Sequence, residues 1–220
     1  MLSQSISHIE SVGFPPLGHH LREAGELMGA SMIFRRNSEI YGEGEPADYL
    51  YKMISGAART YKILSDGRRQ VSGFHLPGDI FGLETGAAHS LSAEAVSRCK
   101  VLVVKRSALV ALAGRQHEVA REVWEVMGQA LHRVQTHNLL LIRTAQERVA
   151  AFLLEMAERN SIGEVIEVPM SRLDIADYLG LTIETISRTL TQLENLGAIE
   201  LSSRHRIVLH NRPMLNRLNS

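Results

Sequence analysis

The chain has 220 residues, 45% hydrophobic and 22% charged, which is enough for one large or two small cores and excludes bulk disorder. A single cysteine, Cys99, excludes an internal disulfide and a four-thiolate iron–sulfur cluster, and no apolar run reaches transmembrane length. The formal net charge is zero, so any binding of nucleic acid must rest on where charges stand, not on their sum.

In chain order, residues 1 to about 25 are weakly patterned and broken by Pro15-Pro16 and Gly18. They lack the charged start and apolar middle of a signal peptide. With so little cysteine, this predicts a reducing, cytoplasmic setting and no membrane association. Between about 30 and 115 the texture is β. Short runs such as 49–54 and 101–104 alternate with turn signals at Gly42, Gly44, Gly56, Asp66-Gly67 and Pro77-Gly78. Closely spaced short strands predict a barrel or roll.

From about 116 to 142 glycine is rare and proline absent. Ala120, Val123, Met127, Ala130, Val134, His137 and Leu141 recur at spacings of three and four, a heptad seam that predicts a long dimerisation helix. The alternative is a helix packed on its own chain's core. A further helix is expected over 145–159, then a short strand over 165–168.

The next segment carries the chemistry. Ser171 stands three residues before Asp174, a capping-box pattern that opens a helix. Ile175, Ala176 and Leu179 give that helix an apolar face, Gly180 permits a sharp turn, and Thr182 can cap a second helix. This is a helix-turn-helix. On the second helix Ile186, Leu190 and Leu193 face inward, while Glu184, Ser187, Arg188 and Thr191 form a polar stripe near its start. That end of a recognition helix meets base edges in the major groove. Arginine bonds guanine bidentately and glutamate accepts from a cytosine amine, so Arg188 and Glu184, with Ser187, are the expected base readers. Ser171, Arg172, Thr182, Thr191, Arg204 and His205 are the expected phosphate contacts. The bland alternative is a solvated helix face. The residues after the helix favour DNA: Gly197 stops it, and 198–201 and 206–209 read as two strands around the turn 202–205, a wing.

Two stretches carry a resemblance. EIYGEGEPADYLYKMISGAARTYKILSDGRRQVSGFHLPGDIFG resembles the cyclic-nucleotide-binding β-roll, and DYLGLTIETISRTL resembles the recognition motif of the CRP/FNR superfamily, with Glu184, Ser187 and Arg188 on its E-x-x-S-R pattern. The wording of EPADYLYK, LPGDIFGLE, TAQERVA and ADYLGLTIETISRTLTQLE is closest to the FixK branch. The resemblance implies an α+β chain of three parts: an N-terminal cyclic-nucleotide-binding-type β-roll over 1–115, a long dimerisation helix over 116–142, and a C-terminal winged helix-turn-helix over 143–220. It implies a homodimer on double-stranded DNA at a palindrome like TTGAT–spacer–ATCAA, regulating genes of low-oxygen respiration or nitrogen fixation. It also implies RNA polymerase as a partner, met in regions around Asp66, Arg68 and Arg69, and around 160–164.

Ala93 and Glu94 fall about where cyclic-AMP-binding relatives carry an arginine–serine pair, and a glutamate there would repel a cyclic phosphate with no cation nearby. The expectation is an activator that works without cyclic AMP and without a cofactor or metal. The alternative is a sensor gated by an unidentified ligand in the roll. No nucleophile–base pair or phosphate loop suggests an enzyme. Cys99 reads as a small buried residue. His19-His20, His75 and Cys99 are weak candidates for metal or haem, and His137 for a pH-sensitive dimer contact.

Overall fold

The computed structural model describes residues 29–219, so Pro15-Pro16, Gly18 and His19-His20 lie outside the described residues. Eight strands come first: β1 Gly29–Phe34, β2 Glu39–Tyr41, β3 Tyr49–Ser55, β4 Ala58–Ile63, β5 Arg69–His75, β6 Ile80–Phe81, β7 Ser92–Ala95 and β8 Cys99–Lys105. They form two four-stranded antiparallel sheets, in the orders β1-β8-β3-β6 and β2-β7-β4-β5. Alternation of apolar residues along β3 and β8 turns Tyr51, Met53, Cys99 and Val101 into a core shared with Tyr41 and Phe81. Cys99 is buried there, and burial pushes its thiol up.

The β texture does not run to 115. Helix α1 (Arg106–Ala113) follows β8 directly and packs Leu109 against Val119 and Val126 of α2 (His117–Leu140). Helix α3 (Ala145–Arg159) begins at a full capping box between Thr144 and Glu147. Strands β9 (Ser161–Ile162) and β10 (Val165–Glu167) come next, then helices α4 (Arg172–Leu179) and α5 (Ile183–Asn195). Strands β11 (Ile199–Ser203) and β12 (Arg206–Leu209) and helix α6 (Arg212–Leu218) complete the fold. The third sheet has the order β11-β12-β10-β9.

One apolar core runs through both halves. Phe74 and Val71 of β5 join Phe152 of α3 and Tyr178 of α4, with Phe74 and Tyr178 ring centroids 5.0 Å apart. The C-terminal unit is therefore seated on the roll rather than merely tethered to it. Burying each such aromatic contributes roughly 2–3 kcal/mol. Among the described residues, no helix is long and apolar enough to cross a membrane.

Within one chain, the expected seam residues of α2 differ in their surroundings. Val123, Ala130 and His137 are only partly exposed, and Ala130 and His137 line a cavity against the chain's own roll. His137 stacks on Tyr178 of α4. Met127 faces outward, joined by Trp124 and Leu131, which the heptad reading leaves out, and Val134 is half-exposed while also bordering the cavity. The physical reason is that α2 has two apolar faces, and a three–four count starting at Ala120 takes members from both of them.

Candidate nucleic-acid interface

Helix α4 starts at Ser171. Its Oγ accepts from the Asp174 amide at 3.1 Å, while Asp174 Oδ2 accepts from Ser171 N at 3.0 Å and from Ser171 Oγ at 2.7 Å. The expected capping box is therefore complete, and the hydroxyl is largely committed to it. The helix ends at Gly180, whose φ of 61° lies in the left-handed region that favours glycine. Arg148 of α3 holds this turn: its Nη1 donates to Leu179 O at 2.8 Å and its Nε to Arg143 O at 2.8 Å. A cation on the last carbonyls of a helix is favourable on both hydrogen-bonding and dipole grounds. Sequence reasoning misses Arg148, since nothing in a helix pattern marks which arginine reaches across to another helix.

Thr182 then caps α5, its Oγ1 accepting from the Thr185 amide at 3.2 Å. Ile186, Leu190 and Leu193 are buried as expected, and Thr189 joins them. Glu184, Arg188 and Thr191 are exposed on the opposite side, with Ser187 half-buried between them. The structure thus brings the three expected base readers onto one outward face at the start of a capped helix. The exposed end of α5, the turn before it and the wing lie in one unit.

The wing pairs Ile199 with Leu209 and Ser203 with Arg206. Arg204 is exposed at its tip, and Arg172 is exposed at the start of α4. His205 Nδ1 donates to Val168 O at 3.0 Å, so the ring also fastens the wing to the strand region before α4.

A second feature lies where the roll meets α2 and α4. A cavity of about 290 Å³ is lined by Tyr41, His75, Phe81, Arg133, His137 and Tyr178, among others. Asp79 holds two of its lining arginines, accepting from Arg133 of α2 at 3.0 Å and from Arg159 of α3 at 2.5 Å, and also accepts from the Leu76 amide at 2.7 Å. Burial alone would raise the Asp79 carboxyl, but the two guanidiniums hold it below its ordinary value. Burial lowers His75 to about 4, with Arg159 and Arg133 adding to the effect against Asp79. Its Nε2 lies 3.2 Å from Thr60 Oγ1. Burial likewise lowers His137.

Two surroundings in the roll differ from expectation. Ala93 and Glu94 do not border the cavity; they lie on β7, and Glu94 meets a cation after all, Arg59 at 2.8 Å. Ser90, a few residues earlier, lines the cavity instead. Arg69 is not an exposed contact like Arg68, because it bonds Asp174 and Asp177 of α4. Among the described residues, no group of three or more His, Cys, Asp or Glu side chains is placed to hold a metal ion.

A capped helix pair with an outward polar stripe, a wing, and a roll with a cavity where it meets the helices define the class: a DNA-binding transcription regulator with an effector-type domain. Residues 147–218 match the Crp-like helix-turn-helix domain, and residues 32–116 match the cyclic nucleotide-binding domain. The nitrogen fixation regulation protein FixK of Azorhizobium caulinodans is 51% identical over 199 residues, covering 88% of this chain and 80% of that protein. Its namesake in Rhizobium meliloti is 43% identical over 169 residues, covering 76% and 77%. The solved structure of FixK2 from Bradyrhizobium japonicum has a TM-score of 0.85 at 50% identity, covering 88% of this chain and 98% of that one. The chain belongs to the CRP/FNR family, among the FixK proteins.

Proposed function

We propose that this chain is a homodimeric, sequence-specific activator of genes for low-oxygen respiration or nitrogen fixation, acting in the cytoplasm on a TTGAT–spacer–ATCAA-like palindrome. The observation that carries the reading is the exposed stripe of Glu184, Ser187 and Arg188 on α5. Arg188 reads the guanine of each half-site and Glu184 a cytosine amine, with Ser187 between them. Arg172, Thr182, Thr191 and Arg204 hold phosphates, and His205 sets the wing's position.

Two copies pair through the outer face of α2, where Trp124, Met127, Leu131 and Val134 are exposed. A two-fold dimer suits a near-palindromic site. RNA polymerase is met through exposed turns, at Asp66-Gly67-Arg68 and at residues 161–164. The protein acts without cyclic AMP. In support, Arg133 and Arg159 at the cavity are already bonded to Asp79, and Glu84 beside His89 adds negative charge on the wall.

A gel-shift titration of effector-free protein on the palindrome and on a scrambled duplex, at stated salt, tests this. Tight, selective binding is expected. A second reading, a regulator gated by a small molecule in the cavity, is favoured by one observation: His137 Nδ1 is buried there without a hydrogen-bond partner. Protein that binds no DNA alone but binds selectively with a cell extract would favour that reading over the first.

A further inference from the structure

The seating of the C-terminal unit on the roll has a charged component that its function as a DNA reader leaves unexplained. Arg59 on β4 is buried, with its Nη1 on Asp174 Oδ1 at 2.5 Å and its Nη2 on Glu94 Oε1 at 2.8 Å. Arg69 on β5 places Nη2 on the same Asp174 oxygen at 2.7 Å and Nε on Asp177 Oδ2 at 2.8 Å. Both guanidiniums flank Tyr61, at 5.8 and 5.9 Å from its ring centre. Two cations of the roll thus interlock with two carboxylates of α4, residues more than 100 positions away in the chain.

Buried ion pairs add little net stability, because desolvation offsets attraction. They are directional, however, and a planar guanidinium accepts few orientations of its partner. Asp174 divides its oxygens: Oδ2 caps α4 through Ser171, and Oδ1 meets the roll. The start of α4 is therefore fixed in the roll's frame. Helix α5 shares the apolar core of α4, so the reading face is fixed in that frame too.

This matters on a palindrome. One added base pair moves a half-site by about 3.4 Å and turns it by about 35°. Two heads free on a hinge would accommodate that change; two heads locked to their rolls would not. We infer that Arg59 and Arg69, through Asp174 and Asp177, latch the helix-turn-helix to the roll and so set the spacer length that the dimer accepts. They are positioning residues and touch no base. The inference rests on the palindrome-binding reading of the protein.

The test uses the full chain on palindromes whose spacers differ by one and two base pairs, and on a single half-site. Wild-type protein should prefer one spacer by about tenfold. Arg69→Gln and Asp177→Asn should flatten that preference to within about threefold, with half-site affinity nearly unchanged. The reciprocal pair Arg69→Asp with Asp177→Arg should recover part of it. Variants that melt lower yet keep the wild-type spacer preference would reduce the cluster to a structural role and overturn the latch. Asp177 is peripheral enough that its variant should fold if Arg69→Gln does not. Hydrogen exchange without DNA provides the independent arm: amides of α4 and of residues 141–144 should exchange faster in Asp177→Asn. Unchanged exchange overturns the latch, whereas wild-type protein that selects no palindrome counts against the regulator reading alone.

Discussion

His137 stacks on Tyr178 with ring centroids 4.1 Å apart and planes 18° from parallel. The contact joins the long helix α2 to the first helix of the helix-turn-helix within one chain. It places His137 on the inner face of α2, so the outer face is the one left for a second copy.

The proposed dimer face can be mapped by three variants. Leu131 is 59% exposed, and Leu131→Glu should shift the protein to monomer on a sizing column and weaken operator binding. Met127→Glu with Val134→Glu should do the same, since both side chains are also exposed. His137→Ala should leave the dimer intact and lower the melting temperature instead. Dimer loss on His137→Ala with none on Leu131→Glu would put the pairing face on the other side of α2.

Arg188→Ala should cost about 1–3 kcal/mol on the palindrome and much less on scrambled DNA, because a base contact carries sequence information and a phosphate contact does not. Arg204→Ala at the wing tip should behave oppositely, weakening both duplexes alike and reducing the salt slope by about one. Equal losses on both duplexes for Arg188→Ala would reassign it to the backbone.

Two glycines separate backbone conformation from space. Gly67 has φ +84° with nothing within 4 Å of an added Cβ, so Gly67→Ala should cost only the left-handed penalty, about 1–2 kcal/mol. Gly56 has a similar φ of +80°, but its Cβ would lie 2.4 Å from Arg98 O and 2.7 Å from Cys99 Cα. Backbone cannot yield there as a side chain would, so Gly56→Ala should be clearly the more destabilising. Denaturant melts of the two variants, side by side, check the ranking.

Local features of the fold are legible in the sequence where they rest on neighbours a few residues apart. The Ser171–Asp174 box, the Gly180 turn and the sorting of Ile186 from Arg188 all come from spacing. The features that are not legible depend on long-range register. The resemblance puts Glu94 near an anion site with no cation, yet it faces Arg59; it puts Arg69 in a region of exposed contacts, yet that side chain faces Asp174 and Asp177. Helix α1 escapes a sequence reading because its Val110 and Leu109 continue the apolar texture of β8, and two turns are too short to declare a period. The double apolar face of α2 misleads for a related reason: periodicity reports that a face is apolar, not what covers it.

The buried histidines give a pH dependence whose sign is fixed by their environment. His75 falls to about 4 in the folded chain from 6.5, chiefly through burial. Between those values the unfolded chain binds the extra proton and the folded chain does not, so stability falls as pH drops through that window. Above the upper value the residue is neutral in both states, and below the lower one it is charged in both, so the slope is confined to the interval and the loss stays constant below it. By pH 5 the loss should reach about 2 kcal/mol, or about 4–8 °C in melting temperature. His137 is lowered in the same direction, also by burial, and adds to the slope. Asp79 is held low by its arginines, and its contribution is lost only at more acid pH, as its carboxylate protonates. Melting curves of wild type and His75→Gln from pH 7.5 to 5 isolate the effect: the variant should show a shallower decline. Parallel profiles would mean that His75 takes up its proton as readily in the fold as outside it, and would remove it from the buried wall of the cavity.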